Sequence, residues 1–377
     1  MKHQRMLLNA SNLHVGGGVQ VATSVISELS LLANLPENLT IWSSSEVDAN
    51  LKSLGCDLSL LPDYEVVDTY GLKAIFSSAI AKTRHFDRIF TIFGPLYSLF
   101  NKNFNIVGFA QPWIIYPNNE ISKDLSFWKR KMIQLKFTIQ TLFFRKSDLV
   151  IVELEHVALG LQRKGITTSR NVNVIYNCVN SIYFDERKWK DIPISDRDSD
   201  NKIKLGFVGR NYKHKNTQLF PAVARHLLEK HNIEADFYVT FNEDEWRACP
   251  DDFKIFVKNI GVLSIAQCPS FYKSMDAIVF PSLLECFSAT PLEAMVMNKP
   301  LFASDRPFNR DICKNHAVYF DPSNAEDAAN KIADYYLMNR GFPENSKILD
   351  EARQHALSFP DAKERAQKYL QCLIAGN

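Results

Sequence analysis

Two glutamates eight positions apart, Glu285 and Glu293, flank a segment that reads as the turn from a strand into a helix. Carboxylates accept hydrogen bonds from sugar or ribose hydroxyls, and the free amides of a helix start attract phosphate. Phe287, Ser288, Ala289 and Thr290 lie between the pair and are candidates for that phosphate contact. Thr290 is the expected N-cap, with Pro291 at the first helical position and Glu293 at the third, which closes a capping box. Glu293 therefore has a structural use as well as a chemical one. Glu285 has no such local role, and its plain alternative is a solvated loop glutamate.

A second cluster follows the apolar run Ile203 to Val208 and reads Gly209-Arg210-Asn211-Tyr212-Lys213-His214-Lys215-Asn216. The forked guanidinium of Arg210 and the compact ammonium of Lys215 could together neutralise a diphosphate; a solvated basic turn is the alternative. Asn216 is the expected N-cap of a helix running toward Lys230, with Pro221 leaving that start open by a turn. Near the N-terminus, His14 and Val15 precede Gly16-Gly17-Gly18, where Gly17 and Gly18 would let a ligand approach the backbone. Their spacing is not the G-x-G-x-x-G of a dinucleotide site. Glu46, after the second strand, is only a weak ribose candidate, which counts against a dehydrogenase.

Strands at the carboxyl ends of parallel sheets would position all of these residues. The first half alternates short apolar runs with amphipathic ones: strands are expected at 6–10, 39–43, 88–93, 105–109 and 148–152, with a helix over 19–32. A second series begins at 203–208 and continues at 237–240, 277–280 and 300–304. Between them, Asp185 to Asp191 and Asp196 to Asp200 form a charge-dense stretch that reads as a linker. Four divisions follow: 1–180 as an N-terminal α/β domain, 181–202 as linker, 203–350 as a C-terminal α/β domain, and 351–377 as a C-terminal helix able to pack back on the first domain. Open α/β sheets bind ligands beyond the carboxyl ends of their strands, so the residues after each strand matter most.

The composition narrows the class. A chain of 377 residues with 46% hydrophobic residues and 26 Phe has material for two cores. Its 44 basic and 42 acidic residues leave a net charge of +2, without the basic field of a nucleic-acid binder. Seven scattered cysteines with no C-x-x-C pair suit free thiols in a reducing cytoplasm. No apolar run approaches the length that spans a bilayer. The stretch from Phe127 to Lys146 interleaves large apolar side chains with Lys129, Arg130, Lys131 and Lys136. It reads either as a core helix with snorkelling lysines or as a surface for an anionic membrane.

Taken together the motifs resemble those of the large retaining glycosyltransferase family 4. The resemblance rests on Phe207-Val208-Gly209-Arg210 with Lys215-Asn216, Gly261-Val262-Leu263-Ser264, Phe280-Pro281-Ser282, Glu285 through Glu293 as E-x7-E, Pro300, and Val318-Tyr319-Phe320-Asp321-Pro322. It implies the GT-B architecture, two Rossmann-like doubly wound α/β domains facing across a cleft. It also implies a nucleoside-diphosphate sugar as donor, with Glu285 on the sugar hydroxyls, Glu293 on the ribose, and Arg210 and Lys215 on the diphosphate as leaving-group stabilisers. Neither metal nor cofactor is expected, and the D-x-D spacing at Asp198 and Asp200 reads as solvated linker.

Three positions depart from the family pattern. Ser288 and Asn298 stand where glycine is common, and Gln111 occupies the place of a first-domain histidine, where it can hydrogen-bond to a sugar but cannot act as a base. The implied activity is transfer of a hexose with retention to a saccharide or lipid-linked acceptor in surface polysaccharide or glycoconjugate synthesis. The implied location is cytoplasmic, including the inner membrane face. A non-hydrolysing nucleotide-sugar epimerase and a nucleotide-sugar-binding protein without turnover are the alternatives.

Overall fold

The computed structural model describes residues 4–99, 102–193, 202–343 and 346–375. Asp196 to Asp200, with the D-x-D spacing, lie outside them. The chain forms two compact units, one from 1–117, 125–178 and 360–377, the other from 118–124 and 179–359.

The first unit holds a seven-stranded parallel sheet in the order β3-β2-β1-β4-β5-β6-β7. Its strands are β1 Met6–Ala10, β2 Leu39–Ser43, β3 Asp63–Val66, β4 Arg88–Thr91, β5 Phe104–Gly108, β6 Leu149–Val152 and β7 Val172–Val174. The second holds six parallel strands in the order β10-β9-β8-β11-β12-β13. These are β8 Ile203–Phe207, β9 Ala235–Val239, β10 Val257–Asn259, β11 Ala277–Phe280, β12 Leu301–Ser304 and β13 Val318–Phe320. Both orders start from a central strand, run outward to one side and then restart on the other. The reversal falls between β1 and β4 in one sheet and between β8 and β11 in the other, where adjacent crossovers leave on opposite faces and open a crevice.

Alternation along the strands feeds two cores in the first unit. Met6, Leu8 and Ala10 of β1, with Phe90 of β4, pack on one face with Val25, Ile26 and Leu29 of the helix Gly17–Ser30. Leu7 and Ile89 point the other way, onto Trp42, Tyr97 and Phe143. The core of the second unit is aromatic: Phe207, Phe220, Phe237 and Phe271 are fully buried, and the rings of Phe220 and Phe237 stack at 4.4 Å.

The helix Lys347–Leu357 stays with the second unit, because Leu349, Ala352 and Ala356 are buried and His355 Nε2 meets the Ile312 carbonyl at 2.7 Å. The break therefore falls at Phe359, not at 350, and the second unit takes up the expected linker from Val179 onward. The last helix, Ala362–Ala375, belongs to the first unit, where Tyr369 packs edge-on against Phe90 at 4.9 Å.

Arg365 anchors that last helix through a charge in the core. It is 2% exposed and donates to Asn177 Oδ1 and to Ser24 Oγ. Glu153, just after β6, is buried in the same core, and its Oε1 has no hydrogen-bond partner. Burial pushes its carboxyl up to about 7, against the pull of Arg365 and Asn177. An acid raised in this way favours folding in its neutral form. That stability is complete below its ordinary value near 4.5 and is lost as the pH rises through about 7. The shift corresponds to roughly 3 kcal/mol. Relative to its effect at pH 5, Glu153→Gln should gain up to that amount of stability at pH 8. Urea denaturation at the two pH values checks this, and parallel pH–stability curves for both proteins would count against it.

Candidate active site

The reversal between β8 and β11 brings the two expected clusters together. After β8, Gly209 adopts φ +152°, and its amide is held by Thr240 Oγ1 at 3.0 Å. A side chain there would be strained and would crowd Phe207. The following 3-10 turn, Lys213–Lys215, aims Lys215 at the loop after β11. Lys215 Nζ lies 2.6 Å from Glu285 Oε1, and both side chains are largely buried. Ser282 Oγ donates to the same carboxylate at 2.7 Å, and the Leu283 amide donates to the His214 carbonyl at 2.7 Å, which ties the two loops.

His214 completes this cluster, with Nε2 3.8 Å from Glu285 and its ring stacked on Tyr212 at 5.6 Å. Burial pushes its pKa down, and Lys215 pushes the same way against Glu285. A neutral imidazole and a single ammonium thus face one carboxylate. Arg210 sits apart in its bonding: its Nε donates to Glu245 at 2.8 and 3.0 Å, and the side chain is about half exposed. Beyond Glu285, the amides of Phe287, Ser288 and Ala289 make no hydrogen bond to any described residue, so three donors stand open before the helix Thr290–Val296.

One expected cap is overturned and the other lacks its side-chain bond. Ala289, not Thr290, is the N-cap of that helix and makes no side-chain cap bond. Thr290 is already helical and its hydroxyl does not close a box; the Glu293 amide bonds to the Ala289 carbonyl at 2.9 Å. The Glu293 carboxylate accepts from Tyr272 Oη at 2.7 Å, because a buried phenol needs an acceptor. Burial raises the Glu293 pKa, against the hydrogen bonds of Tyr272 and Tyr183. Asn216 occupies the N-cap position of the 3-10 turn Thr217–Leu219 that leads into the helix, but in the left-handed conformation at φ 57° and without a side-chain cap bond, and it donates to the Pro322 carbonyl at 2.8 Å. The helix begins at Phe220, with Pro221 in its first turn. Asn298 also lies at φ 53°, a backbone state that asparagine shares with glycine, which accounts for that departure.

In the first unit, Gly16 at φ 72° caps the helix that starts with Gly17 and Gly18. Gln111 precedes the short helix Pro112–Ile115 beyond β5, and its side chain is partly exposed without a bond to a described residue.

Beside the glycines stands a group that motif reading did not assemble. His14 Nδ1 lies 2.6 Å from Glu46 and 3.8 Å from Asp68, Nε2 lies 3.0 Å from the Thr69 carbonyl, and the ring stacks on Tyr70 at 4.2 Å. Its signal was present, since His14 and Glu46 each follow a strand. Among the described residues these three side chains form the one set of His and acidic groups whose ligand atoms lie within 4.8 Å of one another. Both ring nitrogens face acceptors, so an imidazolium satisfies both without a metal.

Comparison with known proteins bears on the second unit directly. Residues 188–355 match the family of group 1 glycosyl transferases. The O-antigen chain mannosyltransferase of Salmonella typhimurium is 26% identical over 159 residues, 41% of each chain. An uncharacterized glycosyltransferase of Methanocaldococcus jannaschii is 28% identical over 191 residues, 47% of this chain and 48% of its own. The matches thus span less than half the length of these curated relatives.

Likeness of fold extends further. HepE of Anabaena, solved with UDP and glucose, aligns over 99% of this chain and all of its own at TM-score 0.69 and 15% identity. Sucrose-phosphate synthase of Thermosynechococcus elongatus aligns over 99% of both chains at TM-score 0.66 and 14% identity. The fold is of the GT-B type, with two parallel-sheet α/β domains.

Burial lowers the His14 pKa, but the Glu46 hydrogen bond and the Thr69 carbonyl outweigh it, and the net direction is upward from 6.5. The stability this group contributes is complete below 6.5 and is lost as the pH rises through its higher folded value. In an NMR titration of the nine histidines, His14 should show a midpoint above 6.5 that falls in Glu46→Gln. A midpoint at or below 6.5 in the unaltered protein would exclude the imidazolium.

Proposed function

We propose that the protein is a glycosyltransferase that moves a hexose from a nucleoside-diphosphate sugar to a saccharide or lipid-linked acceptor with retention of configuration, in surface polysaccharide or glycoconjugate synthesis. One observation carries the reading: the Lys215–Glu285 pair at the reversal between β8 and β11, next to three open amides. The group 1 match over the same unit supports it.

In this reading the diphosphate lies against the amides of Phe287, Ser288 and Ala289 and the start of the helix at Thr290, with Lys215 and Arg210 turned to its charge. Glu285 accepts from the sugar hydroxyls and Glu293 from the ribose. The bond from the anomeric carbon to the diphosphate breaks as the acceptor oxygen bonds to that carbon from the same face. The acceptor's proton passes to the departing diphosphate. Charge develops on the leaving group, so fixed donors and cations lower the barrier without a protein nucleophile or a metal. Gly17, Gly18 and Gln111 are assigned to the first domain's contacts with the substrates. A cytoplasmic site of action is part of this reading, which the seven free cysteines suit.

A panel of nucleotide sugars that includes mannose and glucose donors, with and without saccharide acceptors, tests the reading. Glu285→Gln and Lys215→Met should each lower transfer by about 100-fold or more while circular dichroism stays unchanged. Near-normal turnover in either variant would refute the assigned donor site. Conversion of the donor without acceptor would point to an epimerase.

A further inference from the structure

The helix Phe127–Phe144 is buried along one side toward its C-terminal end and exposes large apolar side chains elsewhere along its length. On its inner side Gln140, Phe143 and Phe144 are buried: Gln140 donates to Tyr97 Oη at 2.8 Å, and Phe144 meets Phe109 edge-on at 4.9 Å. On the outer side Trp128, Met132, Leu135 and Leu142 are spaced four, three and seven residues apart, which aligns them in one stripe. They are 77%, 71%, 60% and 52% exposed. Phe76, 91% exposed, ends the Gly71–Phe76 segment, whose Ile75 packs in the same cluster as Ile139 of the helix. A core helix with snorkelling lysines accounts for the inner side but not for four large apolar side chains turned to water.

The charges select what covers the stripe. From Phe127 to Ser147 the chain carries Lys129, Arg130, Lys131, Lys136, Arg145 and Lys146 and no acidic residue, although the whole protein is nearly neutral. The ammoniums of Lys131, Lys136 and Lys146 lie 5.7, 5.4 and 5.6 Å from the rings of Phe127, Phe137 and Phe143. Their stems thus run along the apolar surface with the charge at its rim, as at a lipid headgroup boundary. A second copy would bring six like charges against six. A nucleic acid would leave the apolar stripe uncovered.

We infer that the outer face of this helix docks on an anionic phospholipid bilayer, with Trp128, Met132 and Leu135 entering the headgroup boundary and the basic residues facing the lipid phosphates. Among the described residues no helix is long and apolar enough to cross a membrane, so the attachment is interfacial. The link to a lipid-linked acceptor rests on the transferase reading; attachment to vesicles does not.

Co-sedimentation of the full chain with phosphatidylcholine vesicles, with and without phosphatidylglycerol, tests the inference. The protein should bind the anionic vesicles, more weakly as salt rises, and bind neutral ones poorly. Joint replacement Lys129→Glu, Arg130→Glu and Lys131→Glu should weaken binding by about 100-fold or more. Joint replacement Trp128→Ser, Met132→Ser and Leu135→Ser should weaken it at unchanged charge. Both variants should keep wild-type thermal unfolding and wild-type donor hydrolysis without vesicles. Absent or salt-independent vesicle binding, or variants that bind like the wild type, would overturn the inference. So would a concentration-dependent dimer that the serine variant abolishes while vesicle binding persists.

Discussion

The constraint on which the rest depends is the single reversal of strand order in each parallel sheet. Crossovers leave β8 and β11 toward opposite faces, so no connection covers their carboxyl ends and the crevice there stays open. Loops that begin at such a point start with backbone donors aimed outward. The chain uses this opening in the second unit to bring a lysine 70 residues away in sequence within 2.6 Å of a glutamate. In the first unit Gly16 and His14 follow β1 and Glu46 follows its neighbour β2, on one side of the reversal. Neither group depends on a long loop for its place, since each side chain stands within a few residues of a strand end.

The Lys215–Glu285 pair is costly to bury and gains by being completed. Taking both charges out of water requires that each find more than one partner. Glu285 has Ser282 as a second donor, while Lys215 also lies 5.4 Å from the Phe280 ring. Burial holds His214 below its ordinary value, so the cluster does not collect a second full charge near neutral pH. A diphosphate arriving at the open amides would compete with Glu285 for the ammonium and free the carboxylate to accept from hydroxyls. In the proposed reaction, donor binding and the readiness of Glu285 are then one event.

What the sequence disclosed follows burial. Interior strands such as Leu39–Ser43 and Ala277–Phe280 are buried along their whole length and read as continuous apolar runs. The strands that escaped reading, β3, β7, β10 and β13, are the four sheet edges. Asp63–Val66 is mostly exposed and Val172–Val174 half-buried, so their residues carry no run to detect. The caps failed for a related reason. Thr290 and Asn216 have the right residue types, but the Asn216 Oδ1 that a cap would use accepts from Gln218 Nε2, and tertiary partners claim the other groups, the Tyr272 phenol for Glu293 and the Pro322 carbonyl for Asn216 Nδ2. Those partners lie 21 and 106 residues away, beyond any local pattern.

Glu293 shows how such a partner changes a residue's chemistry as well as its geometry. As the third residue of a capping box it would be a solvated carboxylate bonded to backbone, ionised and near its ordinary pKa. Packed against fully buried Tyr272, it is held by a phenol donor in a site where burial favours the neutral acid. With Tyr272 and Tyr183 both acting on it, the carboxyl keeps lone pairs for a further donor, and in the proposed reading a ribose hydroxyl supplies one without adding charge. In the proposed reading the neutral diol of a nucleoside meets Glu293, while Glu285 already holds an ammonium. The two glutamates that look alike in the sequence are separated by their surroundings, an ammonium and a serine hydroxyl for Glu285 and a buried phenol for Glu293.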